Sequence, residues 1–154
     1  MFVTSMLRQS KGVFIDTAPL IYYIEAHPEY AASVKQLLAF CLREKIQIIS
    51  SVITLHEVLV KPYRDANQAL AEKFASLLKN NHHLNLIPVS EDISEAAAKL
   101  RGNYQALKMA DALQIATALH AGADIFLTND KHLKQLSEIK VVIISEWPGT
   151  DVTH

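Results

Sequence analysis

Four acidic residues stand in or beside apolar runs, and they are the part of this chain equipped for chemistry. Asp16 follows the strand-like run 13–15, and Glu57 lies inside the apolar stretch 52–60. Asp111 heads a long apolar helix, and Asp130 comes just after the run 125–127. A carboxylate taken out of water without a partner is costly, and chains avoid it. One explanation covers all four: they converge in space and share a divalent cation. Carboxylates within ~6 Å of one another repel by a few kcal/mol per pair at an effective dielectric of ~20. Without a cation some of them take up protons, whereas a hard divalent ion removes the conflict. Mg²⁺ prefers oxygen ligands and keeps several waters, so a set of carboxylates suits it, and Mn²⁺ accepts the same ligands. Zinc is disfavoured, because none of the seven histidines sits in HExxH or a similar spacing. Such a site suits phosphodiester hydrolysis by a metal-activated water.

Each acid also has a local explanation. Asp16 and Asp130 can each cap the helix that follows. Asp111, in a first helical turn, gains ~0.3–1 kcal/mol from the helix macrodipole. Glu57 is the hardest to explain locally. Leu55, Val58, Leu59 and Val60 flank it, and a helix apolar nearly all round is usually buried. His56 is then its neutralising neighbour, or the pair forms a small solvent stripe. Thr17 and Thr128 flank the acids and can hydrogen-bond a carboxylate, or serve as cap hydroxyls.

The elements that must position these residues follow from the pattern. Strands are expected at 12–15, 47–50, 84–89, 124–128 and 141–144. Helices are expected from Thr17 to about Glu25, over 30–44, from Ser51 through Val60 with Pro62 as the stop, and over 65–81. Further helices are expected to about Tyr104 after Ser90 or Asp92, over 109–121 with Gly122 as the cap, and over 130–136. Short apolar strands alternating with helices indicate a parallel sheet covered on both faces, a three-layer α/β/α fold. Its working crevice lies beyond the carboxyl ends of the strands, where Asp16 and Asp130 project if their strands are neighbours.

The 154 residues read as one domain, with residues 1–11 as a loosely held leader. Half the residues are apolar and spread along the chain, which argues against disorder. No apolar run reaches the ~18 residues of a membrane span. The opening MFVTSMLRQSKG lacks a secretory apolar stretch, and the lone Cys41 has no partner for a disulfide. A reducing, cytoplasmic setting is expected. A formal charge of −1 argues against nucleic-acid binding by bulk charge, so RNA contact requires a local cluster. Lys108, three residues before Asp111, Arg101 in the preceding helix, and Lys131 directly after Asp130 are the candidates for a rim around an acidic site. Apolar helices at 17–25 and 30–44 suggest a homodimer interface.

The residues resemble a family. VFIDTAPLIYYIE, ISSVITLHEVLV and LRGNYQALKMADALQIATALHAGADIFLTNDKHL, in this order, resemble the PIN-domain nucleases, and among them the stand-alone toxins of VapBC toxin–antitoxin pairs. The resemblance spans roughly residues 13–144. It places the family's acidic site on Asp16, Glu57, Asp111 and Asp130, with Thr128 and Thr17 as its hydroxyls. One departure stands out: many members have a further Asp and an aromatic residue where His132 and Leu133 stand. The resemblance implies a Mg²⁺- or Mn²⁺-dependent endoribonuclease that forms a homodimer and is inhibited by a small antitoxin protein.

Other classes compete. A catalytically weak PIN-fold module that binds RNA or protein fits the near-neutral charge and the missing acid at His132. A phospho-acceptor receiver domain wants an acidic pair at the first strand's end, where Asp16 is the only acid. A dehalogenase-type phosphatase wants a second Asp two residues later, where Ala18 stands.

Overall fold

Apolar stretches too short for anything but buried strands recur between amphipathic helices, and they assemble into one sheet. A computed structural model of the chain describes residues 2–147, with side chains from residue 5 onward. The strands are β1 (Gly12–Ile15), β2 (Gln47–Ser51), β3 (Leu84–Ile87), β4 (Ile125–Thr128) and β5 (Lys140–Ile143). All neighbours are parallel, in the order β3-β2-β1-β4-β5. The chain therefore builds outward from β1 in one direction and then returns to its other side with β4. That reversal places the switch point between β1 and β4, where such sheets open a crevice at their carboxyl ends.

Helices α1 (Phe2–Gln9), α2 (Thr17–Ile24), α3 (Ala31–Arg43), α4 (Val52–Arg64), α5 (Gln68–Lys79), α6 (Glu91–Asn103) and α7 (Met109–His120) cover the two faces. On one face Val13, Ile15, Ile48 and Leu127 pack with Leu20, Val34, Leu37, Val58, Phe74 and Leu78 of α2 to α5. On the other, Phe14, Ile49 and Phe126 pack with Ile93, Ala97, Ala112 and Ile115 of α6 and α7. The rings of Phe14 and Phe126 stack across the β1–β4 seam with centroids 5.1 Å apart. Gly122, at φ +81°, ends α7 as expected, and the Ala123 amide donates back to the Ala118 carbonyl.

Several boundaries differ from the sequence reading. Within the expected leader, residues 2–9 form α1, which places Leu7 fully in the core, and Arg8 lies over the Phe40 ring. Met1 lies outside the described residues. Pro62 does not stop α4, which runs on to Arg64. Proline's fixed φ suits a helix, and near the C-terminal end it removes only one intrahelical donor. Ala66, at φ +52°, then turns the chain, and Asn67 caps α5, so that helix starts at Gln68 instead of residue 65. β3 ends at Ile87, because Pro88 has no N–H to extend the ladder. The turn after Asp130 is a 3₁₀ helix, Lys131–Gln135. In α2 and α3, Pro19, Leu20, Val34, Leu37, Phe40 and Cys41 are buried, while Ile21, Tyr22, Tyr23, Ile24 and Leu38 are only partly covered. Among the described residues, the large apolar side chains left exposed are Leu42 on α3, Val60 and Tyr63 on α4, and Met109 and Leu119 on α7.

Candidate active site

Asp16 sits at the first residue beyond β1. Its amide donates to the Leu127 carbonyl at 2.9 Å, which carries the ladder one step past the strand and fixes the residue on the β1–β4 seam. Its carboxylate is held from both sides. Oδ1 accepts from the Thr17 amide at 2.8 Å, and Oδ2 accepts from Thr128 Oγ1 at 2.8 Å. The residue therefore caps α2 and faces the crevice at once. Burial pushes its carboxyl from the ordinary 3.8 up to about 6; the bonds from Thr128 and Thr17 oppose the rise, and the charges of Asp111 and Glu57 add to it.

Thr128 ends β4 with its hydroxyl fully buried, and that hydroxyl also accepts the Asp130 amide at 3.1 Å. Asp130 in turn caps the 3₁₀ turn, its Oδ1 accepting from the His132 amide at 3.0 Å. Thr17 plays the matching part on the other flank, its Oγ1 donating to Glu57 Oε1 at 3.0 Å. Two threonines thus tie three of the four acids together. Asp111, half-buried in the first turn of α7, joins through the electrostatic field. Burial raises its carboxyl above the ordinary range, Asp130 and Glu57 add to the rise, and Lys108 opposes it.

Glu57 corrects one expectation. It is exposed, because only Thr54, Val58 and Pro62 of α4 are buried, while His56 beside it is exposed as well. The two form the solvent stripe, and Glu57 reaches the site from the crevice side.

A cleft of about 560 Å³ opens beside the acids, lined by Asp111 and Asp130 together with Lys108, Lys131 and His132. Lys108 and Lys131 therefore lie where a rim is expected. Arg101 does not line this cleft; its Nε donates to the Leu107 carbonyl at 3.2 Å and holds the loop before α7. Lys131 also faces Glu146 at 4.0 Å, and Lys134 pairs with the same carboxylate.

Sequence reasoning missed the polar layer behind the acids. Ser51, Thr54 and Gln114 are buried, and they hydrogen-bond to one another beneath Asp16. Asn129 donates to the Tyr22 hydroxyl and accepts the Ser145 amide, securing the loop between Thr128 and Asp130. The available signal was spacing. Ser51, the N-cap of α4, is followed at three-residue steps by Thr54 and Glu57, as Asp111 is by Gln114 on α7, and such steps share a helix face.

Carboxylates with hydroxyl neighbours are the donor types that a hard divalent cation takes, and His132 lines the cleft beside them. After burial, the charges of Asp111 and Glu57 add to the rise at Asp16, and those of Asp130 and Glu57 add to the rise at Asp111. Among the described residues, no group of three or more His, Cys, Asp or Glu side chains stands together as a ready metal-holding set.

Residues 13–139 match the family model of the PIN domain. No curated protein matches the chain. Among solved structures, VapBC2 from Rickettsia felis bound to a promoter DNA fragment is similar at 19% identity and TM-score 0.68, covering 85% of this chain and 97% of that one. A toxin–antitoxin complex from Klebsiella pneumoniae is similar at 27% identity and TM-score 0.63, with coverage of 86% and 98%. VapC20 of Mycobacterium tuberculosis, a sarcin–ricin loop cleaving toxin, is similar at 18% identity and TM-score 0.63, with coverage of 75% and 87%.

Proposed function

The chain belongs to the PIN domain family, and from that membership we propose that it is a metal-dependent endoribonuclease, the toxin of a type II toxin–antitoxin pair. The observation that carries this reading is the placement of Asp16, Glu57, Asp111 and Asp130 in one electrostatic neighbourhood at the sheet's switch point. Asp16, Asp111 and Asp130, with Glu57 at the open side, are the residues to hold Mg²⁺ or Mn²⁺. Bound there, the cation supplies neutralising charge and lowers the pKa of a water.

The chain's own residues do the rest. Thr128 and the Thr17 amide keep the Asp16 carboxylate oriented and favour its charged form. Thr17 steadies Glu57 at the crevice. Lys108 and Lys131 offer positive charge to backbone phosphates at the cleft.

The substrate is a structured RNA, a reading supported by the similar sarcin–ricin loop cleaving toxin. A cognate antitoxin is supported by the similar toxin–antitoxin complex from Klebsiella pneumoniae. A homodimer and a cytoplasmic setting complete the proposal. Among the described residues no helix is long and apolar enough to cross a membrane.

The test incubates the chain with structured cellular RNA and Mn²⁺ and maps new 5′ ends. Cleavage is expected, and EDTA or Asp16→Asn should abolish it. Cleavage that persists in EDTA would sink the mechanism. That no group of three or more His, Cys, Asp or Glu among the described residues stands ready to hold a metal favours one second reading, a catalytically weak module that binds RNA or protein. RNA binding with no cleavage in any metal would select it.

A further inference from the structure

Ser51, Thr54 and Gln114 are each at most 1% exposed, so their polar atoms have only one another and their neighbours for partners. Those partners dictate which way the Gln114 amide faces. The Ser51 hydroxyl caps α4 by accepting from the Ile53 amide at 3.1 Å and the Thr54 amide at 3.4 Å. With its lone pairs so committed, its proton goes to Gln114 Oε1. Nε2 must then face the other way. There it donates to Thr54 Oγ1 and lies 3.5 Å from Asp16 Oδ1. Thr54 Oγ1 is in turn 3.4 Å from Thr17 Oγ1, whose proton reaches Glu57. Gln114 itself sits one turn after Asp111 on α7.

We propose that Gln114 is a positioning residue of the acidic site, a buried brace that holds α7 and α4 against the end of β1. A single amide spans the three elements that carry Asp111, Glu57 and Asp16. It need not touch substrate or cation, because its effect passes through the acids it places. The proposal rests on reading those acids as a divalent-cation site. An apolar side chain of the same length fills the space but leaves the Ser51 proton without its acceptor and the Thr54 oxygen without its donor.

The test compares Gln114→Met with Thr117→Val in the full chain. Thr117 is equally buried on the same helix, and its hydroxyl donates to the Leu113 carbonyl of its own helix at 2.7 Å. Mn²⁺ affinity is measured by electron paramagnetic resonance titration and stability by thermal unfolding. Gln114→Met is expected to weaken Mn²⁺ binding by about tenfold or more. Thr117→Val should lower the melting temperature while leaving that affinity unchanged. Equal Mn²⁺ affinity in Gln114→Met and wild type overturns the brace and leaves the proposed function standing. If the wild-type chain takes up no Mn²⁺, the cation reading falls, and the metal-free protein judges the brace. There the Gln114 Nε2 hydrogens, identified by their loss in Gln114→Met, should exchange with solvent at least about tenfold more slowly than those of exposed Gln105. Exchange at the same rate overturns the brace whatever the metal does.

Discussion

Thr128 donates its hydroxyl proton to Asp16 across the β1–β4 seam at 2.8 Å, and the same oxygen accepts the Asp130 amide. One buried side chain therefore sets two of the four acids. Valine has the same shape and neither function. Thr128→Val is expected to destabilise the fold by roughly 1–3 kcal/mol, the usual cost of unsatisfied buried groups. It should also weaken Mn²⁺ binding by about 10–100-fold, as the loss of a ligand-orienting partner does. Thr128→Ser should restore both. Calorimetric unfolding and metal titration of the three proteins check this, and an unaffected Mn²⁺ affinity in the valine variant refutes it.

Stability should depend on pH through Asp16. Its carboxyl titrates near 3.8 in the unfolded chain and is pushed up to about 6 in the fold. Between those values the folded state holds more protons than the unfolded state, so stability falls as pH rises through the window. The cost at pH 7 is on the order of 3 kcal/mol, and it vanishes below the unfolded value. Asp111 is shifted the same way and adds to the trend. In EDTA, Asp16→Asn is therefore expected to be more stable than wild type at pH 7 and no more stable near pH 3. Urea unfolding across pH decides; a variant less stable at pH 7 means that Asp16 serves the fold as a cap.

The placement of Asp16, Asp111 and Asp130 at the ends of elements is legible in the sequence because the apolar pattern of those elements is unambiguous. The parallel sheet is legible for the same reason, since runs such as 13–15 and 125–127 have no polar face. The exposure of Glu57 is not, because its apolar neighbours Leu55, Leu59 and Val60 are only partly covered, and coverage is a tertiary matter. Helix α1 hides because its segment has a single buried anchor among the described side chains, Leu7. Gln114 carries a spacing signal, but its partners Ser51 and Thr54 lie some sixty residues away. The packing of α7 against β2 and α4 brings them together.

A homodimer is expected in solution. Met109 on α7 and Tyr63 on α4 are left 63% and 59% exposed, and they are side chains available for a second copy to cover. Light scattering over a concentration series should give twice the chain mass. A monomer at every practical concentration removes the dimer and leaves the nuclease reading intact.

RNA contact has a prediction of opposite signs on one cleft. Backbone phosphates must approach a site that is itself acidic, so binding depends on the cations at its edge. Lys108 and Lys131 line the cleft, but they are not equivalent. Lys131 is part of a group in which Glu146 faces it at 4.0 Å and also pairs with Lys134, so some of its charge is already neutralised. Lys108 lies near Asp111, whose ionised form it favours. Lys108→Ala should weaken RNA binding and flatten the plot of log affinity against log salt by about one unit of slope, the contribution of one phosphate contact. Lys131→Ala should do the same to a smaller extent. Glu146→Gln should work in the other direction, tightening binding and steepening the slope as Lys131 and Lys134 are released. Filter-binding titrations on catalytically inactive Asp16→Asn protein, across a salt series, read all three. If the slopes of Lys108→Ala and Glu146→Gln both match the parent, the RNA does not cross this cleft, and Lys61 and Arg64 at the end of α4 become the path to test.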